Sequence, residues 1–267
     1  MTHGQDARRI GALIIGDELL TGRRRDRHMA AVIERLEARG LELSWARLIG
    51  DDPELLTRTL RETFATGDIV FSFGGIGATP DDRTRQCCAE ALGVELVRHP
   101  EAAQALRERF GERTTEQRLR MVDFPAGAAM IPNPVNRVAG FSIHHHHFVP
   151  GFPNMAWPMV EWVLETHYAE MQEPGRTVQR AVRVPGAREG EMIPLLERMT
   201  AAYPELRISC LPSTTDSGGL EVELGIRGPA PRTTEALEAL TAQLEAEGHR
   251  WEPVPGATPP AADGPTA

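Results

Sequence analysis

Asp68-Ile69-Val70-Phe71-Ser72-Phe73 runs directly into Gly74-Gly75-Ile76-Gly77-Ala78-Thr79-Pro80-Asp81-Asp82. A run of strand length, a turn with three glycines and a helix expected from about Pro80 to Leu92 follow one another without a spacer. The same alternation precedes them. Ile10-Gly11-Ala12-Leu13-Ile14-Ile15 is a continuous apolar run between Arg8-Arg9 and Gly16-Asp17, as in a strand buried on both faces. From about Asp26 to Arg39, Met29, Val32, Ile33 and Leu36 fall on one helical face, and Gly40 stops the helix. Leu41–Ile49 reads as a second strand, and Asp51-Asp52-Pro53 opens a helix carrying Leu55, Leu56, Leu60 and Phe64. Strand and helix in turn at this spacing predict an α/β fold: three layers, α/β/α, around a mostly parallel sheet. Such sheets bind ligands at the carboxyl ends of their strands, which makes loops 16–28, 50–53 and 74–82 the expected site.

Downstream, Pro100–Phe110 and Thr114–Met121 read as helices, and Ala128–Asn133, Gly140–Ile143 and His146–Val149 as short strands. Pro150-Gly151-Phe152-Pro153 leads into a helix reaching about Tyr168, in which Pro158 predicts a kink or a delayed start. Glu173-Pro174-Gly175 is a linker signal. After it come a strand (177–184), a helix (189–201), two strands (206–211 and 219–226) and a helix (233–247), a small α+β unit. The expected organisation is a first domain over 1–172, a small α+β domain over 176–251, and a Pro, Ala, Gly and Thr-rich tail over 252–267 that is expected to be disordered.

Composition excludes several chemistries. None of the 267 residues is lysine, so all 29 basic residues are arginine. A P-loop and a lysine Schiff base are therefore excluded. The net charge of −9 argues against a nucleic-acid partner, which is bound through cations on phosphates. The one basic cluster, Arg23-Arg24-Arg25 with Arg27, reads as a solvated loop or helix start. Three cysteines (Cys87, Cys88 and Cys210) form no spaced framework, which points to a reducing compartment. Neither an apolar signal region nor a run of the ~20 apolar residues needed for a membrane span is found, so the expectation is a cytoplasmic protein without a membrane partner.

Three glycines between a buried strand and a helix let backbone approach a ligand, and a helix N-terminus offers N–H groups to a phosphate. The loop is no dinucleotide fingerprint, since Pro80 stands where the third glycine should be. It places Asp81 and Asp82 where a phosphate site usually has a lysine, so a bound phosphate calls for a bridging divalent cation on these carboxylates. Thr79-Pro80-Asp81-Asp82 also reads as a capping box, and Asp51 or Asp52 as an N-cap before Pro53. Convergence favours a site: Asp17 and Glu18, Asp51 and Asp52, and Asp81 and Asp82 all follow strands that end on one edge. His144–His147 reads as a polar edge strand or, through two alternate imidazoles on one face, as a pair of metal ligands. No Gly-x-Ser-x-Gly elbow exists to support a serine triad.

Gly16-Asp17-Glu18-Leu19-Leu20-Thr21-Gly22, Gly50-Asp51-Asp52, Gly74 through Thr84, Ile131-Pro132-Asn133-Pro134 and Pro150-Gly151-Phe152-Pro153 occur in the order seen in the MoaB/Mog molybdopterin-binding domain. The sequence resembles its CinA (competence/damage-inducible) type, and is similar to the N-terminal domain of eukaryotic FAD synthases, over about residues 8–170. The small unit resembles the KH-like second domain of CinA proteins, without a Gly-x-x-Gly RNA clamp. The resemblance implies a homo-oligomer binding a small phosphorylated ligand, either molybdopterin or an adenine nucleotide. It implies Asp82 and Asp51 as catalytic residues, and Glu18, Asp81 and Asp82 as holders of a divalent cation (Mg²⁺, Mn²⁺ or Co²⁺). Gly16, Gly74, Gly75, Gly77, Thr79, Asn133 and Gly151 are the expected phosphate- and cofactor-binding positions. The implied activity is a metal-dependent pyrophosphatase acting on ADP-ribose or FAD. The alternatives are a non-catalytic nucleotide-binding module and a Mog-like molybdopterin adenylyltransferase. Departures from the family pattern include His28 for an asparagine, Ala78 for a proline and Arg83 for an aliphatic residue.

Overall fold

The computed structural model describes residues 8–215 and 218–254. The chain divides into two compact units, Met1–Gln172 and Glu173–Ala267. The first is built on β1 (Ile10–Ile15), whose six residues are all buried. It is followed by α1 (Asp17–Leu20), α2 (His28–Glu37), β2 (Leu43–Ile49), α3 (Pro53–Thr66) and β3 (Ile69–Phe73). β2 and β3 both pair in parallel with β1. Next come α4 (Thr84–Leu92), a small antiparallel pair of β4 (Leu96–Arg98) and β5 (Asp123–Pro125), and, between those two, α5 (Pro100–Phe110) and α6 (Glu116–Leu119). β6 (Ala129–Ile131), β7 (Gly140–Ile143), β8 (His146–Val149) and α7 (Pro153–His167) complete the unit. The sheet order is β2-β1-β3-β8-β7-β6, with β8 parallel to β3 and antiparallel to β7.

Alternate residues of β1 serve two cores, which is why its sequence is apolar throughout. Leu13 and Ile15 pack with Leu56 and Leu60 of α3, Cys87 and Cys88 of α4 and Leu106 of α5. Ile10, Ala12 and Ile14 pack on the other side with Val32 and Leu36 of α2 and Val160, Val163 and Leu164 of α7. The result is the three-layer, mostly parallel arrangement that the sequence predicts. α3 is set by its ends: Asp52 accepts from Leu55 N at 2.7 Å as N-cap, Pro53 follows, and Gly67 stops the helix at φ 72°. α7 is not delayed by Pro158. It starts at Pro153, and Pro158 in the second turn forgoes one N–H bond while Ala156, Met159, Val160, Val163 and Leu164 hold the helix in the core.

Two local expectations are corrected. The helix after the glycine turn begins at Thr84, not Pro80, because Thr79–Asp82 closes a turn of its own. His144–His147 is not a polar edge strand. His146 and His147 lie in β8, between β3 and β7, and are 1% and 2% exposed. His146 Nε2 bonds Thr63 Oγ1 at 2.9 Å; His147 bonds Ser142 Oγ and Tyr168 OH, each at 2.8 Å. Hydroxyl partners make buried imidazoles affordable, and alternation on the strand sends neighbouring rings to opposite faces.

The second unit runs β9 (Thr177–Pro185), α8 (Glu189–Ala202), β10 (Arg207–Thr214), β11 (Leu220–Pro229), α9 (Ala230–Ala246) and β12 (Glu252–Pro253). Its antiparallel sheet has the order β10-β11-β9-β12, and Leu195 and Met199 of α8 and Leu240 and Leu244 of α9 share a core with Val182, Val184, Leu224 and Ile226. The expected tail therefore does not begin at 252: Glu252 and Pro253 pair with Arg183 and Val182. The rest of that tail, 255–267, lies outside the described residues.

Candidate functional site

β1, β2, β3 and β8 are mutually parallel, so their carboxyl ends meet at one sheet edge. Gly16 N donates to Ile49 O at 3.0 Å and Gly74 N to Val149 O at 3.0 Å, tying the exits of neighbouring strands together. Gly74 (φ 103°) and Gly75 (φ 68°) turn the chain through a conformation that side chains resist. A Cβ on Gly74 would lie 2.5 Å from Ile15 O, and one on Gly151 would lie 3.4 Å from Gly74 Cα. The loop is fixed to α4 by Thr84, whose Oγ1 donates to Gly74 O at 3.1 Å and whose N donates to Gly75 O at 3.0 Å.

Beneath it lies Arg85, 4% exposed, which the sequence did not single out. One guanidinium nitrogen donates to Gly77 O at 2.6 Å and another to Arg120 O. No carboxylate lies within ion-pair distance of it among the described residues, although Asp123 and Asp82 are near enough to favour its charge. Burial outweighs them and lowers its pKa. The only advance signal was an arginine one residue into a helix that follows a glycine turn.

The carboxylates are held, not loose. Asp82 Oδ2 accepts from Thr79 N at 2.9 Å and Thr79 Oγ1 at 2.5 Å, while Asp82 N donates to Thr79 O at 3.0 Å. Half of a capping box is present, the bond from Thr79 N to the Asp82 carboxylate; the Thr79 hydroxyl donates to that carboxylate instead of accepting from Asp82 N, and the bonds close an isolated turn. A Cβ on Gly77 would meet Asp82 Oδ2 at 2.4 Å and Cγ at 2.9 Å, so a side chain there would push the Asp82 carboxylate out of this position. At the neighbouring strand ends, Asp17 N donates to Asp51 Oδ2 at 2.9 Å and Asp51 N to Asp17 Oδ1 at 3.1 Å. The Gly-Asp pair repeated at 16–17 and 50–51 was the signal for Asp17 as a site residue. Burial raises the Asp51 pKa, and the negative charges of Asp17, Glu18 and Asp81 raise it further. Glu18 lies 3.8 Å from Arg24.

Asn133 is 4% exposed. Its Nδ2 donates to Val138 O at 3.0 Å and its Oδ1 accepts from Val135 N and Asn136 N at 3.0 and 3.3 Å. It orders the loop beside the cavity. The eleven residues expected to bind ligand or metal or to act in catalysis line one cavity of about 770 Å³: Gly16, Glu18, Asp51, Gly74, Gly75, Gly77, Thr79, Asp81, Asp82, Asn133 and Gly151; Asp17, Asp52 and His144–His147, also considered, are not among its lining residues. Among the described residues, no three His, Cys, Asp or Glu side chains are gathered into a ready metal site. The oxygen donors suit a hard divalent cation, whose remaining positions a phosphate and water would fill.

Residues 11–169 match the family described as a probable molybdopterin binding domain. A protein of Pyrobaculum calidifontis is 29% identical over 240 residues, which cover 87% of this chain and 92% of that one. A CinA-like protein of Geobacter sp. strain M21 is 32% identical over 238 residues, covering 81% of this chain but 56% of the relative, so this chain spans little more than half of that protein. The crystal structure of the protein CinA, of unknown function, from Thermoplasma acidophilum superposes with a TM-score of 0.54 at 25% identity, covering 59% of this chain and 98% of that one. The chain belongs to the molybdopterin-binding-domain family, and CinA-like proteins are among its relatives.

Proposed function

We propose that the cleft at the ends of β1, β2, β3 and β8 binds the phosphate of a phosphorylated pterin or an adenine nucleotide, and that it hydrolyses a pyrophosphate linkage such as that of ADP-ribose or FAD. One observation carries the reading. A glycine turn with closely approaching backbone and the acids of three separate strand ends border a single cavity. Capping alone does not require such convergence. Backbone at Gly74–Gly77 would take phosphate oxygens, and Arg85 would keep the turn in shape from below. Asp82, Asp81 and Glu18 would hold a divalent cation, which supplies Lewis-acid polarisation of the phosphate when bound. Asp51, held by Asp17 N–H, would accept a proton from the attacking water. Water adds to one phosphorus, the bridging P–O bond breaks, and AMP leaves with ribose 5-phosphate or FMN.

A binding module without turnover is the second reading. It is favoured by the occupied state of the Asp82 and Asp51 carboxylates, each of which already accepts hydrogen bonds from its neighbours. Hydrolysis of ADP-ribose, FAD and NAD with Mg²⁺, Mn²⁺ or Co²⁺, and with EDTA, decides between them. Metal-dependent AMP release that disappears in Asp82→Asn supports the enzyme. Ligand binding without turnover under every metal leaves the module.

A further inference from the structure

The arginine run that reads from sequence as a solvated loop lies between α1 and α2 and borders two cavities. Arg23 and Arg24 line the glycine-loop cavity; Arg24, Arg25 and Arg27 line a second one of about 370 Å³. Ile15, Glu18, Arg24, Gly151 and Phe152 belong to both walls, so the two cavities adjoin and are together called the groove. Apolar side chains, among them Ile14, Leu19 and Pro153, wall the second lobe together with His28. His28 is 6% exposed and stacks on Phe73, with ring centroids 4.5 Å apart and 24° between planes. Its Nε2 donates to Gly151 O at 3.1 Å, so the neutral ring presents Nδ1 as an acceptor, and Nδ1 has no partner.

Charge is also unanswered there. Four guanidiniums crowd into five residues. Arg24 is loosely paired with Glu18 at 3.8 Å, and Arg27 lies over the Trp157 ring at 5.7 Å. Arg23 and Arg25 have no ion pair among the described residues. Asp26 is spent on capping α2, accepting from His28 N at 2.8 Å and Met29 N at 3.0 Å. We infer that the groove takes a nucleotide bearing two separated phosphates. The first lies on the glycine turn and the second on the Arg23–Arg27 turn, with the sugar or ring between them in the His28 lobe. The inference rests on the phosphate reading of the glycine turn. It goes beyond that reading by assigning a second anion subsite and a ligand class.

Titration calorimetry of the full chain with Mg²⁺ present tests it with AMP, adenosine 2′,5′-bisphosphate and adenosine 3′,5′-bisphosphate, none of which has a pyrophosphate bond to hydrolyse. At least one bisphosphate is expected to bind about tenfold or more tighter than AMP, as charge-assisted bonds to a second phosphate require. The ratio to AMP is expected to collapse toward unity in Arg25→Ser, to fall below it in Arg25→Glu, and to be largely restored in Arg25→Lys. Arg25 is exposed, so an unchanged thermal midpoint shows that each variant is folded. AMP binding with no bisphosphate preference, or a preference that persists in Arg25→Glu, overturns the second subsite and leaves the glycine turn intact. A bisphosphate that binds through the arginines while AMP does not bind contradicts the glycine-turn reading instead. No binding of any of the three overturns both.

Discussion

Replacing Gly75 by alanine tests how the phosphate turn is built. Gly75 has φ 68°, and a Cβ there would lie 2.1 Å from Thr84 Oγ1 and 3.2 Å from Thr84 Cβ. The left-handed conformation alone costs an L-residue about 1–2 kcal/mol. Thr84 is fully buried, and its hydroxyl is donated to Gly74 O at 3.1 Å. Driving it out leaves buried polar groups unpaired, at about 1–3 kcal/mol. Gly75→Ala should therefore lose about 2–5 kcal/mol, a large part of a domain's usual ~5–15 kcal/mol. Thr84→Ala removes the hydrogen bond and the obstacle together. Alone it should cost about 1–2 kcal/mol, and in the double variant only the backbone strain is added, so the pair falls short of additivity by about 1–3 kcal/mol. Urea titrations of the four proteins followed by tryptophan fluorescence measure this, since Trp45, Trp157 and Trp162 lie in the first unit. Additivity within about 0.5 kcal/mol would refute the reasoning.

Burial holds both His146 and His147 at a pKa of about 3, below the usual 6.5. Unfolded, each charges near 6.5, so stability present above that value is lost as the pH falls from 6.5 towards 3. At pH 5 the loss is about 2 kcal/mol for one imidazole, so the drop in urea stability from pH 7 to pH 5 should be smaller by about that much in His147→Gln; equal drops contradict it. Arg85→Met keeps the packing stem and removes both carbonyl bonds. It should weaken phosphate binding about tenfold or more in calorimetry, and an unchanged affinity would show that the turn holds its shape without it. The raised Asp51 carboxyl should make Mn²⁺-dependent turnover decline at a higher pH than an ordinary carboxylate allows. That loss comes as the pH falls; Asp51→Asn should remove most turnover and leave a residual rate without the inflection, and an inflection that persists in the residual rate belongs to another group.

The first unit was legible because buried parallel strands are short apolar runs and their helices carry plain stop signals, as at Ile10–Ile15 and Gly67. The site was legible because each parallel strand end delivers its next residues to one edge. What eluded the sequence depends on tertiary partners. Thr79 and Asp82 make only one of the two bonds of a capping box, and the position of Thr84 under Gly74 shows that the helix begins later. His146 and His147 look polar in sequence, and it is Thr63, Ser142 and Tyr168, remote along the chain, that make them core residues. Arg85 was marked only by its place just inside a helix after a glycine turn, since its acceptors are backbone carbonyls at Gly77 and Arg120. The arginine run lay inside loop 16–28, one of the three loops expected at the ligand edge, but its charge alone read as a solvated loop.

The central claim is that Gly74–Asp82 is where the ligand's phosphate binds. Backbone amide shifts of the isotope-labelled chain, titrated with AMP and with a pterin phosphate in the presence of Mg²⁺, test it directly. The account predicts that the largest saturable changes fall at Gly74, Gly75, Gly77 and Asp82, with Asp51 and Gly151 following. Saturable changes confined to the second unit, or none at the glycine turn with either ligand, would contradict it.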